Sequence, residues 1–186
     1  MNAKNKISRR KFLSLSIVGI GGISLLSLGA YNNKPTSKWR FLTEDEVLIL
    51  DALVEQIIPT DESMGARDAG ATNFIDKQLV GPYKQFQKDY REGLKLFQKS
   101  SIEKFNKKFE ELSWENQTKL LKLIDKNELK HKHWVENADK DFFNMVIRHT
   151  MQSFYGSPQH GGNKNNVSYK MLKLDYPIII GQNRYK

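Results

Sequence analysis

The chain has 186 residues with a net charge of +9 and no cysteine, which suits one compact domain and excludes disulfides, thiolate metal sites and thioether-linked haem. Residues 1–29 carry five of the cations (Lys4, Lys6, Arg9, Arg10, Lys11) and no acid, so only +4 remains for a body that holds all 21 acids. That residue of charge describes a solvated lysine-rich surface; with no basic stripe or groove-reading motif, no nucleic-acid partner is expected.

In chain order, residues 1–30 come first as an address. Ser8-Arg9-Arg10-Lys11-Phe12-Leu13-Ser14 is followed by an uncharged run to Ala30 that is broken by Gly19, Gly21, Gly22 and Gly29. A basic start, an apolar stretch and a small-residue end are the parts of an export signal. Paired Arg9 and Arg10 followed by Phe12 and Leu13 resemble the twin-arginine signal, which implies the twin-arginine translocase as a partner. The run from Phe12 to Ala30 also has the length of a membrane span, so a retained anchor is the other reading. The glycines follow no strand and form no dinucleotide fingerprint, and neither a P-loop nor a metal cluster is visible. A folded-export address on a chain without a cofactor motif points to a cofactor carried by a companion.

Residues 31–42 read as a polar spacer, and residues 43–174 as a helical domain. Thr43-Glu44-Asp45-Glu46 is a capping box that opens a helix with Val47, Leu50, Leu53, Val54, Ile57 and Ile58 on its core face, Leu48 widening the stripe and Pro59 stopping it. Residues 59–70 form a turn-rich loop in which Thr60 and Asp61 bind backbone; the adjacent Asp61 and Glu62 are the acid–base alternative. A short helix follows over 72–80 with Phe74, Ile75 and Leu79 inward, ended by Gly81-Pro82. The aromatic spacing of Phe86, Tyr90, Leu94, Phe97, Phe105 and Phe109 predicts one long helix over 83–111, with Ser100-Ser101 as a kink or break. Ser113 caps a further helix carrying Trp114, Leu120, Leu121 and Ile124. Residues 126–138 are polar and hold His131 and His133, which diverge on a helix and converge on a metal only if extended. The last clear helix covers 139–154 with Phe142, Phe143, Val146, Ile147, Thr150 and Phe154 buried and His149 beside them. Strand signals are sparse, so the fold class is all-α, an irregular helical bundle with a long Gly/Asn-rich C-terminal loop. Residues 175–186 are a tail without strong pattern.

The loop after Phe154 reads Tyr155-Gly156-Ser157-Pro158-Gln159-His160-Gly161-Gly162-Asn163-Lys164-Asn165-Asn166. Glycine and asparagine there allow left-handed backbone and close approach, and Phe154, Tyr155, His160 and Tyr169 are residue types that anchor interfaces. The partner interface is therefore placed on Phe154, Tyr155, His160, Gly161, Gly162, Asn163 and Tyr169. No catalytic, cofactor-binding or metal residue is assigned. The alternative is a free-standing exported enzyme using His131, His133, His149, His160 and the Asp61–Glu62 pair.

The Phe-Tyr-Gly-x-Pro-x-x-Gly-Gly-Asn order, closed by Tyr169-Lys170-Met171-Leu172, resembles the small subunit family of gluconate 2-dehydrogenase. So do Ile57-Ile58-Pro59-Thr60-Asp61, Gly65-Ala66-Arg67-Asp68-Ala69-Gly70, Phe74-Ile75-Asp76-Lys77-Gln78-Leu79, Gly81-Pro82-Tyr83 and Tyr90-Arg91-Glu92-Gly93-Leu94. Tyr169 stands where that family often has Trp. The resemblance implies an accessory subunit without catalytic residues. Its partner would be a large FAD-containing subunit of the glucose–methanol–choline type that oxidises a sugar acid or polyol. A membrane cytochrome with haem c would be the third subunit, on the periplasmic, outer face of the inner membrane.

Overall fold

The computed structural model describes residues 38–129, 133–135 and 137–174. Six α-helices make up these residues: α1 (Glu44–Ile57), α2 (Ala71–Leu79), α3 (Gln87–Phe105), α4 (Trp114–Asp125), α5 (Ala138–Tyr155) and α6 (Val167–Met171). Short 3-10 turns at Lys84–Phe86, Phe109–Glu111, Pro158–His160 and Lys164–Asn166 join them, and no strand occurs among the described residues. The expected all-α class is what the chain adopts. None of the described helices is long and apolar enough to cross a membrane; the Phe12–Ala30 run, the paired arginines and the 175–186 tail lie outside the described residues.

Helix α1 occupies the middle and touches α2, α3, α5 and the Phe109–Glu111 turn. Its start is fixed locally: the Thr43 hydroxyl accepts from the Glu46 amide while Glu46 accepts from the Thr43 amide at 2.9 Å, so both halves of the box form. Leu50, Leu53 and Val54 are fully buried and Val47 and Ile49 nearly so. Leu48 instead faces solvent at 52% exposure. It stands one residue from Val47 and two from Leu50, which turns it about 100° and 200° away from the stripe.

The predicted long helix resolves into three pieces. Ser100 and Ser101 are buried inside an unbroken α3, because their hydroxyls find acceptors in the Leu96 and Lys107 carbonyls, both at 2.9 Å. The break falls at Asn106, whose φ of 54° ends the helix in the left-handed region. Phe109 still reaches the core and packs edge-on to Phe97 at 4.7 Å. Gln98 accepts from its amide at 2.8 Å and Gln117 donates to its carbonyl at 2.9 Å, so the turn that carries it has both backbone groups satisfied.

The entrance to the domain is held by one carboxylate. Asp76 on α2 is fully buried and accepts from the consecutive amides of Arg40, Phe41 and Leu42 at 2.8, 2.9 and 2.9 Å. The Arg40 guanidinium lies 3.6 Å from the same group, and Arg91 donates to the Phe41 carbonyl at 2.9 Å while covering its ring. Residues 40–42 are thus pinned to the bundle although they belong to no helix.

Candidate functional site

Two glycine-containing blocks far apart in sequence meet at the C-terminal end of α5. The first is the loop from Pro59 to Gly70. The Asp61 carboxylate turns it by accepting from the Ser63 amide at 2.9 Å, and the Thr60 hydroxyl accepts from the Gly65 amide at 3.1 Å. These hydrogen bonds from Ser63 hold the Asp61 carboxyl below its usual range. Gly65 has no room for a side chain, since a Cβ would lie 2.5 Å from the Thr60 amide nitrogen. Gly70 then turns into α2 with φ of 88°.

The second block runs from Gly156 to Asn166, and Asn163 organises it. Its side chain is fully buried, donates to the Gly156 carbonyl at 2.8 Å and accepts from the Ser168 amide at 3.0 Å. Tyr169, on α6, donates to the same Gly156 carbonyl at 3.1 Å. Left-handed backbone at Asn163, Asn165 and Asn166 makes the tight path, which asparagine tolerates better than other side chains. The long C-terminal loop is therefore an ordered wrap with two 3-10 turns and α6 built into it.

The blocks interlock directly. Asn73 donates to the Gly161 carbonyl at 2.8 Å, the Lys164 amide to the Ala69 carbonyl at 3.0 Å, and Lys77 to the Gln159 carbonyl at 3.1 Å. Gly70 and Gly161 come so close that a Cβ on Gly70 would stand 3.0 Å from the Gly161 oxygen. Around this seam lies an open cleft of about 770 Å³ with Trp39, Asp51, Arg67, Thr72 and Asn165 in its lining. Burial raises the Asp51 carboxyl above its ordinary range, opposed by the hydrogen bond from Thr72. The Arg67 side chain is held charged chiefly by its bond to Asp68 at 3.2 Å, with Glu55 at 3.9 Å on its other side. The lining holds Lys38, Arg67 and Lys164 together with Asp51 and Asp68, so the cleft presents charges of both signs.

All seven residues assigned to the interface fall in this region, in two roles. Phe154 and Asn163 are essentially inaccessible, and Gly162 is buried with its Cα so close to Ser153 that a Cβ would lie 2.1 Å from its hydroxyl. These three shape the wrap from inside. Tyr155 is 41% exposed and packed edge-on against Phe154 at 5.1 Å; His160 is exposed, and Gly161 and Tyr169 are partly so. They form the outward surface.

The histidines have separate surroundings. His131 lies outside the described residues. His133 bridges Lys99 and Glu103 on α3, and His160 pairs with the neighbouring Gln159 side chain. His149 is buried, stacked on Tyr83 at 4.2 Å and hydrogen-bonded through Nδ1 to the Tyr90 hydroxyl at 3.0 Å. Desolvation, helped by the charge of Arg148, lowers its pKa to about 4. Among the described residues no three His, Asp or Glu side chains come together in a metal-holding group. Asp61 and Glu62 sit on the exposed 59–70 loop, with Asp61 committed to its turn.

Sequence reasoning missed Asp51, Asn73 and Asp76. Each is a polar residue on a helix side that otherwise reads as apolar or solvated, and its partner is distant in sequence: Thr72 for Asp51, the Gly161 carbonyl for Asn73 and the amides of residues 40–42 for Asp76. Asp76 had one visible signal: a carboxylate directly after the core pair Phe74-Ile75 in a nine-residue helix.

The described residues form an all-α domain with an interlocked, glycine-tight wrap at its surface. Residues 44–175 match the family model described as gluconate 2-dehydrogenase subunit 3, and the chain belongs to that family. The comparisons with curated proteins and with solved structures give no match.

Proposed function

We propose that this chain is a non-catalytic subunit of a membrane-associated, FAD-dependent dehydrogenase of the glucose–methanol–choline type. Gluconate or a related sugar acid or polyol would be its substrate. The flavin belongs to the large partner subunit, haem c to a membrane cytochrome, and this chain contributes export and stabilisation. Arg9, Arg10, Phe12 and Leu13 address the complex to the twin-arginine translocase, which delivers it folded to the periplasmic face of the inner membrane. The observation that carries the reading is the interlocked wrap within the family-matched region. Ordering a loop at binding costs affinity, and a face whose backbone is already tied down avoids that cost. Tyr155 and His160 stand outward on this face, as interface anchors do.

The test is affinity purification of this chain from its own cells in mild detergent, with mass spectrometry and an absorption spectrum. A larger co-purifying protein with a flavin spectrum and gluconate-dependent dye reduction is expected. A chain that emerges alone and colourless refutes the assignment. Lysine at both Arg9 and Arg10 is expected to leave the flavoprotein activity in the cytoplasm; undiminished periplasmic activity in that variant removes the escort role.

A further inference from the structure

The contact between α3 and α5 carries a second surface, at the other end of α5 from the wrap. On α3, Asp89, Glu92, Gly93 and Leu96 follow one helical face; on α5, Ala138, Asp141, Phe142, Met145 and Arg148 do the same. Between the two stripes lies a groove of about 430 Å³, whose lining Trp134 and Val135 complete. Its floor is apolar and preformed. Gly93 lets the Phe142 ring lie against α3, since a Cβ there would stand 2.2 Å from the ring. Trp134 stacks on Phe142 at 6.0 Å and donates to the Ser100 hydroxyl at 3.1 Å, while His133 ties the same segment to Lys99 and Glu103. Val135 then projects at 80% exposure, more than any other large apolar side chain among the described residues.

The rim is acidic. Asp89, Glu92 and Asp141 are all exposed; Glu92 reaches Lys88 at 4.0 Å, and neither Asp89 nor Asp141 makes an ion pair among the described residues. Arg148 is the cation in the lining. Residues 1–29 hold five of the nine net charges, so the body that bears this rim carries only +4.

We propose that this groove docks a basic amphipathic helix of a partner protein. The walls run from Asp89 to Leu96 and from Ala138 to Arg148, seven and ten helical steps, which gives lengths of about 10 and 15 Å, or two to three turns of a third helix. Such a helix places apolar side chains at i, i+3, i+4 and i+7 on the Phe142–Trp134 floor and against the projecting Val135, and lysine or arginine against the three carboxylates. The carboxylates of the rim attract a basic segment, so encounter is steered toward the groove. An acidic helix of the same shape meets like charge. The surface is independent of the wrap: Gly156 lies about 20 Å along the α5 axis from Phe142, and no residue lines both the cleft and the groove.

The test is an amide-resolved NMR titration of the full chain with two helical peptides of about 14 residues, one leucine–lysine and one leucine–glutamate with the same apolar pattern. The lysine peptide is expected to shift amides of 89–96 and 133–148 and to bind at least about tenfold tighter than the glutamate peptide. In D89K/E92K/D141K that preference inverts. V135K, at an exposed position outside the core, removes an apolar contact and adds a cation, so it weakens the lysine peptide about tenfold while leaving distant amides unmoved. V135K alone carries the test if the triple variant does not fold. Equal affinity for the two peptides, shifts confined to α4 or the wrap, or concentration-dependent self-association through the groove overturns the proposal.

Discussion

At the residue scale, two buried polar groups carry consequences that solution experiments can reach. His149 has an ordinary pKa near 6.5 when unfolded and about 4 when folded, because burial and Arg148 both disfavour its charged form. The folded state therefore binds fewer protons between those values. The stability held by the neutral ring is complete above about pH 6.5, shrinks as pH falls and is gone below about pH 4, a difference on the order of 3 kcal/mol. Denaturant midpoints should fall across that window, and His149→Gln, which cannot be protonated, should flatten the fall; an unchanged pH slope in the variant contradicts the assignment. Asp76 acts differently, through the three amides it accepts from. In Asp76→Asn, an NH2 faces the Arg40 amide where an oxygen accepted, which costs about 1–3 kcal/mol. Trypsin should then cut after Arg40 about tenfold faster than in the native chain, for each 1.4 kcal/mol of local opening. Cleavage at the native rate would mean that Arg91 and the Phe41 contacts hold the segment without Asp76.

At the scale of elements, what the sequence made legible follows from how local each determinant is. Thr43 with Glu46, Ser113 with the Asn116 amide and Pro59 after Ile58 act within one helical turn, and the helices they bound sit where the pattern put them. The α3 region was misjudged because aromatic spacing reports which residues reach the core, and Phe109 reaches it from a separate turn as well as it would from a helix. The true break is Asn106, a single left-handed residue, and the turn beyond it is held by Gln98 and Gln117 through the Phe109 amide and carbonyl. In the wrap, composition identified the segment but not its inside and outside. That Asn163 faces in and His160 out depends on Ser168, Gly156 and Asn73, which no local window contains together. Asn163→Ala leaves the buried Ser168 amide without its acceptor, the Gly156 carbonyl with the Tyr169 hydroxyl alone, and alanine in left-handed backbone, so a loss of about 2–4 kcal/mol is expected in chemical denaturation.

At the scale of the whole molecule, the two faces of the wrap separate stability from association. Phe154, Gly162 and Asn163 build the shape from within, whereas Tyr155 and His160 are exposed on its outer side. If the exposed pair anchors a flavoprotein subunit, Tyr155→Ala and His160→Ala should each weaken that complex by about 10–100-fold, the range of an anchor residue at 1.4–2.8 kcal/mol. The thermal midpoint of the free chain should stay nearly constant, because exposed substitutions away from packed features cost little. Asn163→Ala should lower both quantities, affinity falling because the face must be ordered again at binding. The measurement is paired: calorimetric melting of the isolated chain and its affinity for the co-purified partner, on the same three variants. Affinity that falls only where the melting point falls would mean that the wrap is structural and the partner docks elsewhere. Affinity that falls at Tyr155 and His160 with melting unchanged identifies the wrap as the docking face, since no loss of fold is then left to explain it.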